Sequence, residues 1–432
     1  MIGYDILNEP WAANMYHNAT LFTHPESFDR DVLFGLEQQA SETVRAKDQR
    51  HFIFFEPAQF PDTLPFFGGY TLPLGFPGTP GGPENLDVQV LNDHTYCCQA
   101  NPDVCATGEP PLDTREFCRA FHQQKVDQRK KDASNLGVPL MFTEFGACFD
   151  SPECYWEITN SLDAFDSALA SWAYWMYKGF GDFTTTGGDL EGMYTNEGVP
   201  QTLKVKALTR TYGVAYQGTP WSAYFDAEDG SYTTMFTFDA EVGAYTQVYV
   251  NQPVWYPEGF KWVLSNPVNG KPRNGAYMEA SDDGHYLEFY FWDPLMYTEE
   301  NVTLLVTRAL NETELSGKIS GDQQYEMDYQ YTDMGYTGQC KIKVQWAKKI
   351  PYYMKAYLHD RNGGLLFEFG KTWGSNGFET NCADLIGAKV DLWHFSETWD
   401  TTSVKVAEMP LLAVNGHDVL IKIHKADDSE MI

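Results

Sequence analysis

Four short stretches of this 432-residue chain set chemically capable side chains at or near the ends of apolar runs. Asn8-Glu9-Pro10 follows the run from Ile2 to Leu7, and His94-Thr95-Tyr96 follows Val88 to Leu91. Glu144 stands in Met141-Phe-Thr-Glu-Phe-Gly146, and Trp175 lies inside the run from Trp172 to Tyr177. Two carboxylates on well-separated strands, gathered with Asn, His, Tyr and Trp, match the needs of retaining glycoside hydrolysis. One carboxylic acid protonates the leaving oxygen, and a second carboxylate about 5–5.5 Å away attacks the anomeric carbon. Glu9 and Glu144 are the pair this pattern selects. Glu56 closes Phe52-Ile-Phe-Phe-Glu56 at another strand end. Sugar binding is open to it, but a structural role is the stronger expectation.

The surrounding sequence supplies the elements that would hold these residues. In the first half, short apolar runs alternate with longer amphipathic ones, the pattern of repeated βα units on a parallel sheet. Strands are expected at residues 2–7, 51–55, 88–91, 139–143 and 172–177, and helices near 26–48, 112–134, 158–170 and 201–213. Phe28, Val32, Leu36, Ala40 and Val44 recur every four residues, so this stripe of the first helix is expected to face the core. Between Pro57 and Pro83 a Gly- and Pro-rich stretch is too long for an ordinary connection. It is expected to form a functional loop at the mouth of the site, with Phe60, Phe66, Phe67 and Phe76 as an apolar lip. After Pro220 short aromatic and β-branched runs, split by turn residues, predict an antiparallel sandwich to about residue 310 and a further β-rich module over 311–432.

Composition narrows the function classes. Thirty Lys and Arg against sixty Asp and Glu give a formal net charge of −30, which offers no general attraction to phosphate backbones and sets nucleic-acid binding aside. With 43% hydrophobic and 15% aromatic residues the chain is globular rather than disordered. No stretch approaches the roughly 18–20 apolar residues of a membrane span. Eight cysteines, among them Cys97, Cys98, Cys105, Cys118, Cys148 and Cys154, lack the paired spacing of a zinc site, so disulfides or core thiols are expected; Cys340 and Cys382 are a candidate bridge. Sequons at Asn18, Asn301 and Asn311 suit a secreted protein.

Gly3-Tyr-Asp-Ile-Leu-Asn-Glu-Pro-Trp11, His94-Thr-Tyr96, Met141-Phe-Thr-Glu-Phe-Gly146 and Ala173-Tyr-Trp-Met-Tyr177 occur in the order and roughly the spacing of glycoside hydrolase family 5, clan A. Within it the chain most resembles the endoglycoceramidases and related glycosylceramidases, and Tyr232 to Tyr249 with Trp255 to Phe260 resemble the start of their β-sandwich. The resemblance implies a partial (β/α)8 TIM barrel over residues 1–216, holding about the last five βα units. Antiparallel β-sandwich modules are expected to follow: the resemblance carries the one over 217–310, and residues 311–432, beyond its reach, are expected from their own strand-like runs to add a further β-rich module. It implies that Glu9 is the acid/base and Glu144 the nucleophile. Asn8 would bond the sugar 2-hydroxyl, Tyr96 would hold Glu144 ionised, His94 would orient substrate or a carboxyl, and Trp175 would stack under the sugar. No metal or organic cofactor is implied. The partner would be a glycolipid or oligosaccharide, with peripheral contact to a lipid or micelle surface. Because the resemblance begins at the family's fourth strand, the chain is expected to be a truncated form of a longer product, secreted or lysosomal when complete. The competing expectation is a catalytically inactive carbohydrate- or lipid-binding protein using Trp255, Trp262, Trp292, Trp373 and Trp393.

Overall fold

The computed structural model describes residues 2–12, 14, 17–22, 24, 26–59, 62–64, 70–180, 191–243, 245–265, 276–281, 283–291, 301–308, 316–320, 325–333, 339–347, 350, 354–360, 363–370, 377–381, 385, 388–395, 403–411 and 417–425. Phe60, Phe66, Phe67, Trp292, Asn311, Trp373 and Cys382 lie outside these. The chain divides into two compact units, residues 1–208 and 209–432.

In the first unit, β1 (Gly3–Asp5), β2 (Phe52–Phe55), β3 (Gln89–Thr95), β4 (Leu140–Phe145) and β5 (Ser171–Trp172) form one sheet in sequence order, every pair parallel. Parallel neighbours need a crossover, and α-helices lie in those from β1 to β2, β3 to β4 and β4 to β5. They are α1 (Phe34–Arg45), α2 (Arg115–Leu136), α3 (Pro152–Ala168) and, after the last strand, α4 (Thr202–Leu208). The core between sheet and helices is strongly aromatic: Phe142 and Phe165 stack at 4.7 Å, and Phe145 meets Phe165 edge-on at 5.1 Å. Deleting one of these rings would cost about 3–5 kcal/mol.

Local chemistry moves several boundaries away from expectation. α3 starts at Pro152 rather than near 158, because the Ser151 hydroxyl accepts the Cys154 N–H as an N-cap and Pro152 suits the first turn. α2 stops at Gly137, whose φ of 71° supplies the left-handed cap. The helix expected at 201–213 ends at Leu208, and the β-forming segment Tyr212–Ala215 pairs with Thr246–Tyr249 instead. This first strand of the second unit precedes the expected boundary at 216–217. The strand expected at 172–177 shortens to Ser171–Trp172, followed by an isolated bridge between Gly146 and Trp175.

The stripe of the first helix is also phased differently. Val32 and Leu36 are about half exposed, while Asp29, Leu33, Glu37, Ser41 and Arg45 are buried. Polar partners hold the two ends of that face: Asp29 accepts the N–H groups of Ala58 and Gly75, and Arg45 donates to the carbonyls of Asp48, His51 and Val88. A π-turn at Asp29–Leu33 rotates the start of the helix into this phase. Phe76, expected on an exposed lip, instead packs into the core at 7% exposure against Phe34 and Phe55.

In the second unit, strands between Tyr212 and Arg308 form two antiparallel four-stranded sheets around Phe236, Val248, Phe289 and Leu304. Trp255 is buried there and Trp262 packs on Phe289 at 5.3 Å, so both belong to the sandwich interior. Strands from Ser316–Ser320 to His417–Lys425 form a five-stranded and a four-stranded sheet around a second core. These are not wholly antiparallel, since Gln339–Trp346 runs parallel to His417–Lys425. Trp393 is half-buried, and Cys340 is disulfide-bonded.

Candidate active site

The carboxyl ends of the parallel strands converge on one cleft of about 880 Å³, walled by Asn8, Glu9, Trp11, Tyr96, Glu144 and Trp175. Sheet register accounts for part of this convergence. After an irregularity between Asp93 and His94, the β3–β4 ladder sets His94 beside Glu144 and Thr95 beside Phe145. Gly146 then turns with φ 95°, and a Cβ there would stand 2.1 Å from the Tyr174 ring, so only glycine fits.

The cleft's chemistry centres on a buried imidazole. His94 Nδ1 lies 2.9 Å from Glu9 Oε1, 3.4 Å from Glu144 Oε2 and 3.9 Å from Glu56 Oε1. A carboxylate oxygen of Glu9, one of Glu144 and a nitrogen of His94 all lie within 4.8 Å of one another. Behind the ring, Asn92 Nδ2 donates to Asp5 Oδ2, which leaves Asn92 Oδ1 to accept the Thr143 hydroxyl proton. With its single hydrogen committed, Thr143 Oγ1 accepts from His94 Nε2–H at 3.1 Å. This relay places a proton on Nε2 and turns Nδ1 toward the carboxyls.

Tyr96 donates its phenolic proton to Glu144 Oε2 at 3.0 Å. Burial pushes the Glu144 carboxyl above its ordinary range, and the His94 ring and the Tyr96 hydrogen bond pull it back. Burial and the nearby Glu144 charge raise the Tyr96 phenol well above its ordinary value, so it stays a donor. Trp175 forms part of the floor, and its peptide bond to Met176 is cis. The structure thus brings Asn8, Glu9, Tyr96, Glu144 and Trp175 to the cleft. His94 is fully buried beside it, with Nδ1 2.9 Å from Glu9 Oε1.

Several neighbours went unremarked in the sequence. Trp11, 62% exposed, stands on the cleft wall two residues after Glu9, and Gln59 lines it from the segment after β2. Of the disulfides Cys97–Cys118, Cys98–Cys105 and Cys148–Cys154, the first two reach the cleft, with Cys97, Cys98 and Cys105 in its wall. The paired cysteines were the available signal, but spacing alone does not assign connectivity. Below them Asp93 is buried between Lys125 and Arg129. Burial pushes its carboxyl up, yet the two cations outweigh that and hold it below the usual range. The trio Glu9, His94 and Glu144 is also compact enough to hold a cation.

Comparison with known proteins places this geometry in a family. Residues 1–181 match the profile "Cellulase (glycosyl hydrolase family 5)" and residues 210–283 match the family's C-terminal domain. The chain belongs to glycoside hydrolase family 5, whose first domain has a TIM-barrel fold. It is 26% identical over 284 residues to an endoglycoceramidase of Hydra vulgaris, covering 66% of this chain and 48% of the relative. A second, from Cyanea nozakii, is 26% identical over 262 residues, covering 60% and 46%. The chain therefore spans about half the length of the curated relatives it matches. In fold it is similar to endo-glycoceramidase II from Rhodococcus sp. in its five-membered iminocyclitol complex, with TM-score 0.53, 19% identity, and coverage of 72% of this chain and 60% of that one. That enzyme has also been solved as a lactosyl-enzyme intermediate and with ganglioside GM3.

Proposed function

We propose that this chain carries the site of a retaining glycosidase that cleaves glycosphingolipids between glycan and ceramide. The observation that carries this reading is the approach of Glu9 and Glu144 across one cleft, with carboxylate oxygens within 4.8 Å. That spacing favours attack by a carboxylate over attack by a water held between two carboxyls, which needs roughly 6.5–9.5 Å.

In the first step Glu144 attacks the anomeric carbon, the bond to the leaving oxygen breaks, and Glu9 gives that oxygen its proton. In the second, Glu9 takes a proton from water, the water oxygen attacks the anomeric carbon, and Glu144 departs as carboxylate. Asn8 bonds the sugar 2-hydroxyl and Trp175 stacks on the apolar face of the ring. His94 links the two carboxyls, so the charge that Glu144 loses on glycosylation is felt at Glu9.

The sequential five-stranded sheet supports reading residues 1–208 as strands four to eight of the family's barrel. Three disulfides support an oxidising compartment, hence a secreted or lysosomal protein. No described helix is long and apolar enough to cross a membrane, and the exposed Trp11 on the cleft wall suits contact with a lipid aglycone at a micelle surface. The decisive assay follows an oligosaccharyl ceramide, glucosylceramide and carboxymethylcellulose side by side. Release of intact oligosaccharide and ceramide from the first supports the reading, and cleavage of cellulose alone overturns the substrate.

A further inference from the structure

Glu56 stands behind the cleft, its side chain 1% exposed. Oε2 accepts the backbone N–H of Glu9 at 3.2 Å. Oε1 has no hydrogen-bond partner and lies 3.9 Å from His94 Nδ1. Glu9 has φ 45°, a left-handed conformation that a non-glycine residue keeps only when its surroundings hold it there. The same segment grips again at Gln59, whose N–H donates to Pro10 O at 2.9 Å and whose side-chain amide donates to His94 O at 3.2 Å. Residues 56–59 therefore clamp both the turn that carries Glu9 and the strand that carries His94.

The charges around Glu56 argue against a carboxylate there. Asp5 and Glu9 face it from β1 and the turn that follows, Asp93 and His94 from β3, and Glu144 from beyond His94 on β4. Asp93 already has Lys125 and Arg129, and His94 Nδ1 lies closer to Glu9 and Glu144 than to Glu56. Among the described residues no lysine or arginine pairs with Glu56, so a charge on it would be buried with one N–H donor and acidic neighbours.

We propose that Glu56 is a neutral positioning residue for the acid/base step, a carboxylic acid whose carbonyl oxygen pins the Glu9 amide and fixes the left-handed turn that aims the Glu9 carboxyl at the leaving oxygen. Burial, with the Asp93 charge next, raises its carboxyl well above the ordinary range, in the same sense. Being uncharged, Glu56 adds no third negative charge to the pair it supports. The role rests on the reading of Glu9 as acid/base.

Two measurements on the full chain test it. The first needs no turnover: the infrared difference spectrum between wild type and Glu56→Gln at neutral pH shows a carboxylic-acid C=O stretch in the wild type. A carboxylate band in its place overturns the neutral state. The second compares an alkyl β-lactoside, whose poor leaving group needs the acid, with a dinitrophenyl β-lactoside, whose leaving group does not. Glu56→Ala lowers kcat on the alkyl lactoside about 100-fold with KM little changed. It leaves the dinitrophenyl lactoside within a few-fold, and Glu56→Gln, which keeps a neutral acceptor, restores the alkyl rate. Equal loss on both substrates reduces Glu56 to a general structural role and overturns the proposal. A wild type inert on both overturns the acid/base reading and the positioning role with it, while the infrared result still stands on its own.

Discussion

Tyr96 donates its phenolic proton to Glu144 Oε2 across 3.0 Å, from a ring whose own ionisation is pushed out of reach by burial and by the carboxylate it serves. The bond stabilises the ionised form of Glu144, which burial would otherwise disfavour. Tyr96→Phe removes the donor, so the Glu144 carboxyl rises further and a larger fraction is protonated at a given pH. The acid limb of the kcat/KM profile moves to higher pH, and kcat/KM below neutrality falls about tenfold, the equivalent of one hydrogen bond to a charged group at roughly 1.5 kcal/mol. A pH–rate profile on a dinitrophenyl lactoside reads both effects.

The cleft wall depends on a small covalent loop. Cys98 and Cys105 close residues 98–105 beside the site, and both line the cleft. Replacing both with alanine releases the wall while leaving Glu9, His94 and Glu144 on their strands. KM rises several-fold with kcat nearly unchanged, as expected when binding shared by ground and transition states is lost. Steady-state kinetics of the double variant separate the two constants.

Glu37 links the fold to pH. It is fully buried on α1 with neither carboxyl oxygen hydrogen-bonded, and burial, with Asp5 adding to it, lifts its carboxyl to about 8. A raised carboxyl binds more protons in the folded than in the unfolded chain, so its contribution is fully present below the ordinary value of 4.5 and is lost as pH climbs toward about 8. The loss is on the order of a few kcal/mol. Glu37→Gln cannot ionise and removes that dependence. Melting temperatures at about pH 5 and about pH 8.5 therefore show a steeper alkaline loss in wild type than in the variant.

Glu9, His94 and Glu144 lie close enough to ligate a cation, yet two carboxyls beside a buried imidazole at a sugar-sized cleft suit proton transfer. Exhaustive treatment with EDTA is expected to leave lactoside hydrolysis unchanged. Loss of activity restored by one divalent ion, followed by stoichiometric metal analysis, would reassign the trio.

Strand ends were the most legible part of the sequence. Short apolar runs ending in Asn8-Glu9 and His94-Thr95-Tyr96, and one carrying Glu144, mark where a parallel sheet delivers polar side chains, and the structure brings Asn8, Glu9, Tyr96 and Glu144 to one cleft with His94 buried beside it. Helix faces were harder. The Phe28 to Val44 stripe had the right period, but the buried face of α1 is held by Asp29 and Arg45 through hydrogen bonds to distant backbone, and four-residue spacing of apolar types carries no trace of those partners. The helix expected at 201–213 ended early because Tyr212–Ala215 found a strand partner more than thirty residues later in the chain. Glu56 could not be separated from an ordinary strand-end acid in sequence, since its meaning lies in an orphaned oxygen and one amide of Glu9. The bridge Cys98–Cys105 was likewise one of several pairings that eight cysteines allow.

The pairing of Glu9 with Glu144 is tested most directly by trapping the glycosyl-enzyme. A dinitrophenyl lactoside bearing fluorine in place of the hydroxyl beside the anomeric carbon slows both steps, while its good leaving group lets the first proceed. Peptide mass mapping of the inactivated protein is expected to find one fluorolactosyl group, on Glu144, and none in Glu144→Gln. A label on Glu9 or Glu56, or steady turnover with Glu144 unmodified, would contradict the account.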